Sequence, residues 1–364
     1  MSWLVPHRRQ VGPTGPAVAL ALSSAAILFC LVVGEIAARL LLPSASLWRY
    51  PNLTTLRAQY NPVVSPHIRY DGELGHEPVP SSEGWLFGAP VSYTADGIRR
   101  NGLLPSPSGP PVVLAVGDST TEGWGVGNDG TWPAQLERDT GWRVLNAGVR
   151  AYGLDQIVLR AERLAPRFDP QFIVLAFIAD DIYRSGLAVR HGIHKPYFVP
   201  VGDGLALRNV PVPTERYSHA LDPVRRILGY SELLNFAMLG LGLEEYWLVG
   251  DAPTGAAADL VTCRLMDRFA LLVRRRGSKG LVVGLPSDPR SFSAGDMANQ
   301  KAGVAAALSC ADKAGLATLD THDAFVAAGI ERDHDAFFFD FHLTNRGNGI
   351  AARLIASTLE GAEH

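Results

Sequence analysis

From Pro111 to the C-terminus, short apolar runs alternate with helical patterns. The runs are Val112 to Val116, Trp142 to Asn146, Phe172 to Ile178, Leu281 to Leu285 and Ala317 to Leu319. Each is of strand length, and their alternation with helices predicts a parallel sheet wrapped by helices. Helices are expected at Trp132 to Asp139, Asp155 to Leu164, Ala256 to Arg275, Gly295 to Ala314 and Arg346 to Leu359. Right-handed crossovers then give an α/β chain in three layers, helices on both faces of one sheet.

The 364 residues can bury one large core plus an appendage, and 47% hydrophobic composition is slightly apolar for a soluble protein. The excess concentrates near the N-terminus, where Ala17 to Gly34 carries no charge and Glu35 and Arg39 close the run. Such a stretch can span a bilayer, which takes roughly 18 to 25 residues. Arg8 and Arg9 precede it, and the positive-inside bias sends the downstream chain to the extracytoplasmic side. A cleaved signal peptide is the alternative, with Ser44-Ala45-Ser46 as small residues, but the apolar stretch through Leu42 exceeds the usual ~7 to 15 residue core. The expected organisation is a cytoplasmic N-terminus at 1–16, a transmembrane signal anchor at 17–42, a stalk or small cap at 43–110 and the main domain at 111–364. Lipid is thus one expected partner, through residues 17–42.

Turn punctuation at Asp71-Gly72, Asp96-Gly97 and Pro105 to Pro111 marks the stalk or cap, where Val91 to Thr94 can form part of a hairpin. The segment 183–253 is too long for a simple connection and predicts an insertion with its own helix near Tyr230 to Tyr246. Cys263 and Cys310 fall on the exported side, where a disulfide and two buried thiols are both compatible with the spacing. The net charge of −3, with no basic run interleaved with aromatics, argues against nucleic acid as a partner. His191 and His194 lack further ligands, so no metal and no cofactor is expected.

In open parallel sheets, functional groups collect beyond the carboxyl ends of the strands. Four segments fall there: Gly117-Asp118-Ser119, Asn146-Ala147-Gly148-Val149, Ala179-Asp180-Asp181 and Asp340-Phe341-His342. Ser119 can attack an acyl carbon, His342 can take its proton and return it to the leaving alcohol, and Asp340 can orient the imidazolium. The backbone N–H groups of Ser119 and Gly148 can face the developing oxyanion. Asp118 and Asn146 suit support of the two turns, and Trp124 and Tyr152 suit either the cleft or the core.

These segments resemble the four blocks of the SGNH (GDSL) hydrolase superfamily, over about Pro111 to the C-terminus. The likeness extends to Thr120 through Val126, to Trp132-Pro133-Ala134-Gln135-Leu136 and to Arg150 through Gln156. Upstream, Gly34 to Arg39, Glu73-Leu74-Gly75 and Asp96-Gly97-Ile98-Arg99 are similar to the lead-in of a bacterial membrane-anchored subgroup. The resemblance implies a flavodoxin-like αβα fold and ester hydrolysis or acyl transfer by a serine nucleophile. It assigns Ser119 as nucleophile, Gly148 as oxyanion donor, His342 as base and Asp340 as its partner. The third block usually ends in Asn-Asp, the Asn amide being a further oxyanion donor, whereas here the pair is Asp180-Asp181. A carboxylate accepts hydrogen bonds, so Asp180 donates only if protonated, which burial beside Asp181 can favour.

The expected function is a membrane-anchored, extracytoplasmic serine esterase acting on an ester or acylated carbohydrate substrate. An O-acyltransferase using the same acyl-enzyme is the near alternative. A weakly catalytic polysaccharide-binding or assembly protein is the distant one.

Overall fold

The computed structural model describes residues 15–41, 65–102, 107, 109–190, 192–214, 222–241, 243, 247, 251–291, 294–339 and 341–361. Five parallel strands form one sheet in the order Ala317–Asp320, Lys279–Gly284, Phe172–Phe177, Val112–Val116, Arg143–Asn146. The inner strand Val112–Val116, between Phe172–Phe177 and the edge strand Arg143–Asn146, is buried at every position. Its side chains alternate between faces, as strand geometry requires. Val112, Leu114 and Val116 join a core with Ile157, Leu265 and Ala307, while Val113 and Ala115 join another with Trp132, Leu136 and Ile355. The first core packs the helices Leu154–Phe168, Ala258–Arg276 and Ala294–Lys313, and the second packs Trp132–Thr140 and Asn345–Gly361.

The expected three-layer α/β sandwich is therefore present, with element ends displaced by a few residues. The largest displacement is at Leu154–Phe168, which runs past Leu164 and through Pro166. Pro166 removes one i→i−4 hydrogen bond near the helix end, and Asp169 closes that end in the left-handed region (φ 46°).

The chain divides into two compact units, one of residues 60–218 and 250–364, the other of residues 1–59 and 219–249. The first unit includes residues 65–102, read from sequence as part of a stalk or small cap. There Ile68–Asp71 pairs with Gly75–Pro78, and Glu83–Leu86 with Ala89–Ser92. Arg99 then bridges antiparallel to Asn146 at the sheet edge. The hairpin expected around Val91 to Thr94 is the second of these.

The segment expected as an insertion over 183–253 is shared between the units. Leu187–Arg190 pairs with Ile193–His194 and Ala252–Pro253, and Tyr197–Val201 pairs with Gly204–Arg208, all in the sheet-bearing unit. Buried Lys195 fastens this part by donating to Asp155, Leu187 O and Pro196 O. Residues 219–249 belong with the N-terminal helix Pro16–Leu41. There the expected helix is Glu232–Gly240, preceded by Asp222–Leu228.

In that second unit Pro16–Leu40 is long and apolar enough to cross a membrane, or to serve as a signal sequence, by length and composition. Glu35 near its end accepts from Ser231 Oγ at 2.8 Å and from the backbone N–H groups of Glu232 and Leu233 at 3.0 Å. A helix start has orphan N–H groups, and here another helix supplies their acceptor. Arg39 completes the knot, donating to Glu35 at 2.7 Å and to Tyr230 O at 2.6 Å.

Cys263 and Cys310 form a disulfide between the helices Ala258–Arg276 and Ala294–Lys313, with Cα atoms 5.0 Å apart. Of the two arrangements compatible with their spacing, the structure has the bridge.

Candidate active site

Strand Val112–Val116 ends at Gly117, where a Cβ would overlap Thr121 Oγ1 and Ala176 O. Only glycine lets the chain turn this tightly against the next strand. Asp118 then caps the short helix Ser119–Glu122, its Oδ1 accepting from Thr120 N–H at 2.9 Å. Ser119 is thereby fixed at the carboxyl edge of the sheet, buried at 5% exposure. Its Oγ lies 2.8 Å from His342 Nε2 and 3.3 Å from Asp118 Oδ2.

His342 comes from the hairpin Phe338–Phe339 with His342–Leu343, just ahead of the helix Asn345–Gly361. The fold thus brings Ser119 and His342, 223 residues apart, to hydrogen-bonding distance. Asp340, the expected partner of the imidazole, lies outside the described residues.

The second loop supplies Gly148. A Cβ on it would overlap the backbone of Thr121 and Glu122, so the loop rests directly on the helix that carries Ser119. Val149 N–H donates to Gly117 O at 3.0 Å, tying the two loops together. The Gly148 N–H donates to Asn146 Oδ1 at 3.2 Å, and Asn146 is fully buried beneath the loop. Beneath the same helix, Arg150 Nη2 donates to Glu122 Oε1 at 2.6 Å and to the Tyr93 hydroxyl at 2.8 Å. Burial alone would raise the Glu122 carboxyl, but the adjacent Arg150 guanidinium holds it below the usual carboxylate range.

The third loop differs from the expected arrangement. Asp180 accepts from Arg184 Nε at 2.8 Å and from Arg190 Nη2 at 3.3 Å. Asp180 is thus engaged as a hydrogen-bond acceptor by two guanidinium groups. Arg184 also donates to Asp181 Oδ1 at 2.8 Å, to Tyr152 O at 3.0 Å and to Asp118 Oδ2 at 3.5 Å. Arg184 is held firmly protonated by these carboxylates despite its burial. Asp181 is the buried partner whose proton affinity rises: desolvation first, then the nearby Asp118 charge, push it well above the ordinary range. Asp181 Oδ2 also accepts from Ile178 N–H at 3.0 Å, capping the helix Ala179–Ser185.

Three further residues at the site were not singled out from sequence. Arg184 was legible in principle, because it sits three and four residues after the two acids on one helix face. Arg99, 2% exposed, donates to Glu122 O and to Val126 O at 2.6 Å. Phe87 stacks on Trp124 at 16° between ring planes. These last two depend on contacts across the fold that no local pattern announces. Trp124, placed by sequence in either cleft or core, is partly exposed and stacks on His342 with centroids 4.7 Å apart and planes at 10°.

A groove of about 650 Å³ opens beside the base, lined by Trp124, Val126, His334, Phe338, Phe339 and Leu343 among others. Its mixture of aromatic walls and a few polar groups suits an organic substrate. Among the described residues no group of three or more histidine, cysteine or carboxylate side chains is arranged to hold a metal ion. His191 lies outside the described residues, and His194 is built into a strand.

A sequence profile of the GDSL-like lipase/acylhydrolase family matches residues 115–350. A search of curated proteins found no match. Among solved structures, the chain is similar to a G-D-S-L family lipolytic protein from Desulfitobacterium hafniense, described as putative in its name, with 13% identity and TM-score 0.36 over 68% of this chain and 99% of that one. It is similar to a lipase/acylhydrolase from Enterococcus faecalis with 13% identity and TM-score 0.40, covering 70% and 97%. A variant acetyl xylan esterase from Geobacillus stearothermophilus gives 12% identity and TM-score 0.42, covering 68% and 94%. The profile spans most of the chain, from the strand that delivers Ser119 to the helix that follows His342, and places the protein in the GDSL-like lipase/acylhydrolase family of SGNH hydrolases, whose members act as esterases.

Proposed function

We propose that the protein is a membrane-anchored serine esterase working on the extracytoplasmic side, on acyl esters of carbohydrate or envelope material. The observation that carries this reading is the 2.8 Å contact between Ser119 Oγ and His342 Nε2 at the carboxyl edge of the sheet. In the reaction, His342 takes the Ser119 proton as Oγ attacks the acyl carbon. The imidazolium then protonates the departing alkoxide, and the same base activates water to release the acid. Asp340 is assigned the orienting role on motif grounds alone.

For the oxyanion, the backbone N–H groups of Ser119 and Gly148 are the assigned donors. Gly148 shares its proton with Asn146 Oδ1 at 3.2 Å, a long bond that an anionic oxygen can outcompete. Asp180 is assigned to charge balance with Arg184 and Arg190 rather than to donation. Two features support export and anchoring: the apolar Pro16–Leu40 helix after Arg8 and Arg9, and the Cys263–Cys310 bridge, which suits an oxidising compartment.

The test is fluorophosphonate labelling of the full chain in detergent, beside Ser119→Ala and His342→Ala, followed by turnover of short acyl esters. Labelling that needs Ser119, with release of free acid, is the expected result. Formation of an acylated sugar in place of free acid, seen only when a sugar hydroxyl is added, would instead assign acyl transfer. Folded protein with neither labelling nor turnover would refute the serine mechanism.

A further inference from the structure

We propose that Phe87, on a hairpin upstream of the family-matched region, acts through Trp124 as a positioning residue for the catalytic base. The proposal rests on the esterase reading above.

The chain of contacts is continuous. Gly123 ends the Ser119 helix in the left-handed region (φ 94°), and Trp124 N–H donates back to Ser119 O at 3.1 Å. The main chain that carries the indole is therefore fixed to that of the nucleophile. The indole lies almost parallel to the His342 imidazole, and Phe87 stacks on the same indole. Ser119 Oγ holds one edge of the imidazole while the indole covers a face. A ring so held is hindered from rotating its Nε2 away from the nucleophile. When the ring becomes imidazolium, an aromatic face at this distance also stabilises the cation.

The way Phe87 is delivered argues for a function. Leu86 pairs directly with Ala89, leaving Phe87 and Gly88 as a two-residue turn with φ of 47° and 83°. Positive φ at both positions is the type I′ pattern, in which asparagine, aspartate or glycine is preferred at the first site. An exposed phenylalanine there is strained, and such strain persists where a neighbouring site uses it. Phe87 is 43% exposed, so core burial does not account for it. The hairpin is also locked to the loop that follows Trp124. Ser92 and Asn128 exchange hydrogen bonds at 2.8 and 3.2 Å, and Arg99 donates to both Val126 O and Pro90 O. Residues 83–92 thus form part of the catalytic unit, although the family profile begins at residue 115.

The experiment compares full-length Phe87→Asn, Phe87→Tyr and Trp124→Leu with the unmodified protein. Asparagine fits the turn better than phenylalanine, so Phe87→Asn is expected to raise Tm while lowering kcat about tenfold with KM within about threefold. Phe87→Tyr keeps the ring and is expected to keep the rate. Trp124→Leu removes the aromatic face from the imidazolium, so the acid limb of the kcat/KM profile is expected to move about half a unit to lower pH. A second readout needs no turnover. The emission difference between the protein and Trp124→Phe is expected to step down as His342 protonates, and His342→Asn is expected to abolish the step. Unchanged kcat and pH profile in both Phe87→Asn and Trp124→Leu, with labelling of Ser119 intact, would overturn the proposal. A His342-dependent emission step in protein that neither labels nor turns over would support the stack and refute the esterase reading.

Discussion

Glu122 grips Arg150 at three points in the interior: Oε1 takes Nη2 at 2.6 Å, while Oε2 takes Nε at 2.9 Å and the Arg150 backbone N–H at 3.0 Å. Glu122 belongs to the helix that begins at Ser119, and Arg150 stands two residues after Gly148. The pair therefore joins the nucleophile's helix to the loop assigned the second oxyanion donor, and both side chains are at most 1% exposed.

Removing one member leaves the other as an unpaired buried charge, which costs about 3–5 kcal/mol. Glu122→Leu and Arg150→Met are each expected to lower the urea midpoint severely, and the double variant to recover most of the loss. Activity is expected to recover less than stability, because the Arg150 N–H loses its acceptor in the double variant too. Urea titration and ester turnover on all three variants check this, and full recovery of kcat in the double variant would count against a positioning role.

Asp180 stands where the resemblance to the superfamily's third block leads one to expect asparagine. In Asp180→Asn a neutral amide replaces the carboxylate that balances Arg184 and Arg190, so the two guanidinium groups lose their counter-charge and kcat is not expected to rise. Steady-state kinetics decide the matter. A tenfold increase in kcat at constant KM would mean that the native site lacks a donor there.

His76 predicts how stability varies with pH. Its ring is 5% exposed, bonds through Nε2 to Arg150 O at 2.9 Å, and burial pushes its pKa down to about 4 from the ordinary 6.5. The unfolded chain thus binds a proton between pH 6.5 and 4 that the folded chain refuses, so stability falls as the pH drops through that window. The contribution of this one group amounts to about 3 kcal/mol at the lower end. Denaturation midpoints from pH 7 to 4 are expected to decline, and less steeply in His76→Gln. An equal slope in both would remove His76 as the cause.

The Cys263–Cys310 bridge closes a loop of 47 residues between two helices. Chain-entropy reasoning assigns such a loop about 4 kcal/mol. Cys263→Ser with Cys310→Ser is expected to lower Tm by several degrees, and dithiothreitol to do the same to the native chain while leaving the double variant unaffected. A native Tm that ignores reductant would show that the bridge carries no stability.

The legibility of this chain in its sequence followed the range of the interactions involved. Strand Val112–Val116 and helix Ala258–Arg276 were readable because apolar spacing records which side faces the core. Ser119, Gly148 and His342 were readable because motif order survives at strand ends, whatever lies between. Asp180 departs visibly from the motif, yet its guanidinium partners are legible only in the fold, which brings Arg190 beside Arg184. Phe87 had no local signal, since its partner Trp124 is met through the packing of one hairpin on a loop. Residues 65–102 read as stalk or cap for a similar reason: their hydrophobic pattern is weak, and buried Arg99 holds them by carbonyl contacts that composition conceals.

The Glu35 cap has a consequence for the order in which the molecule can be assembled. Its acceptor atoms are made early, but Ser231, Glu232 and Leu233 leave the ribosome nearly two hundred residues later. At a synthesis rate of about 5–20 residues per second, that is a wait of roughly 10–40 s. During that interval Glu35 can be served only by water or by Arg39 one turn away. The N-terminal helix therefore gains its lateral partner only after three of the five strands of the parallel sheet have been synthesised.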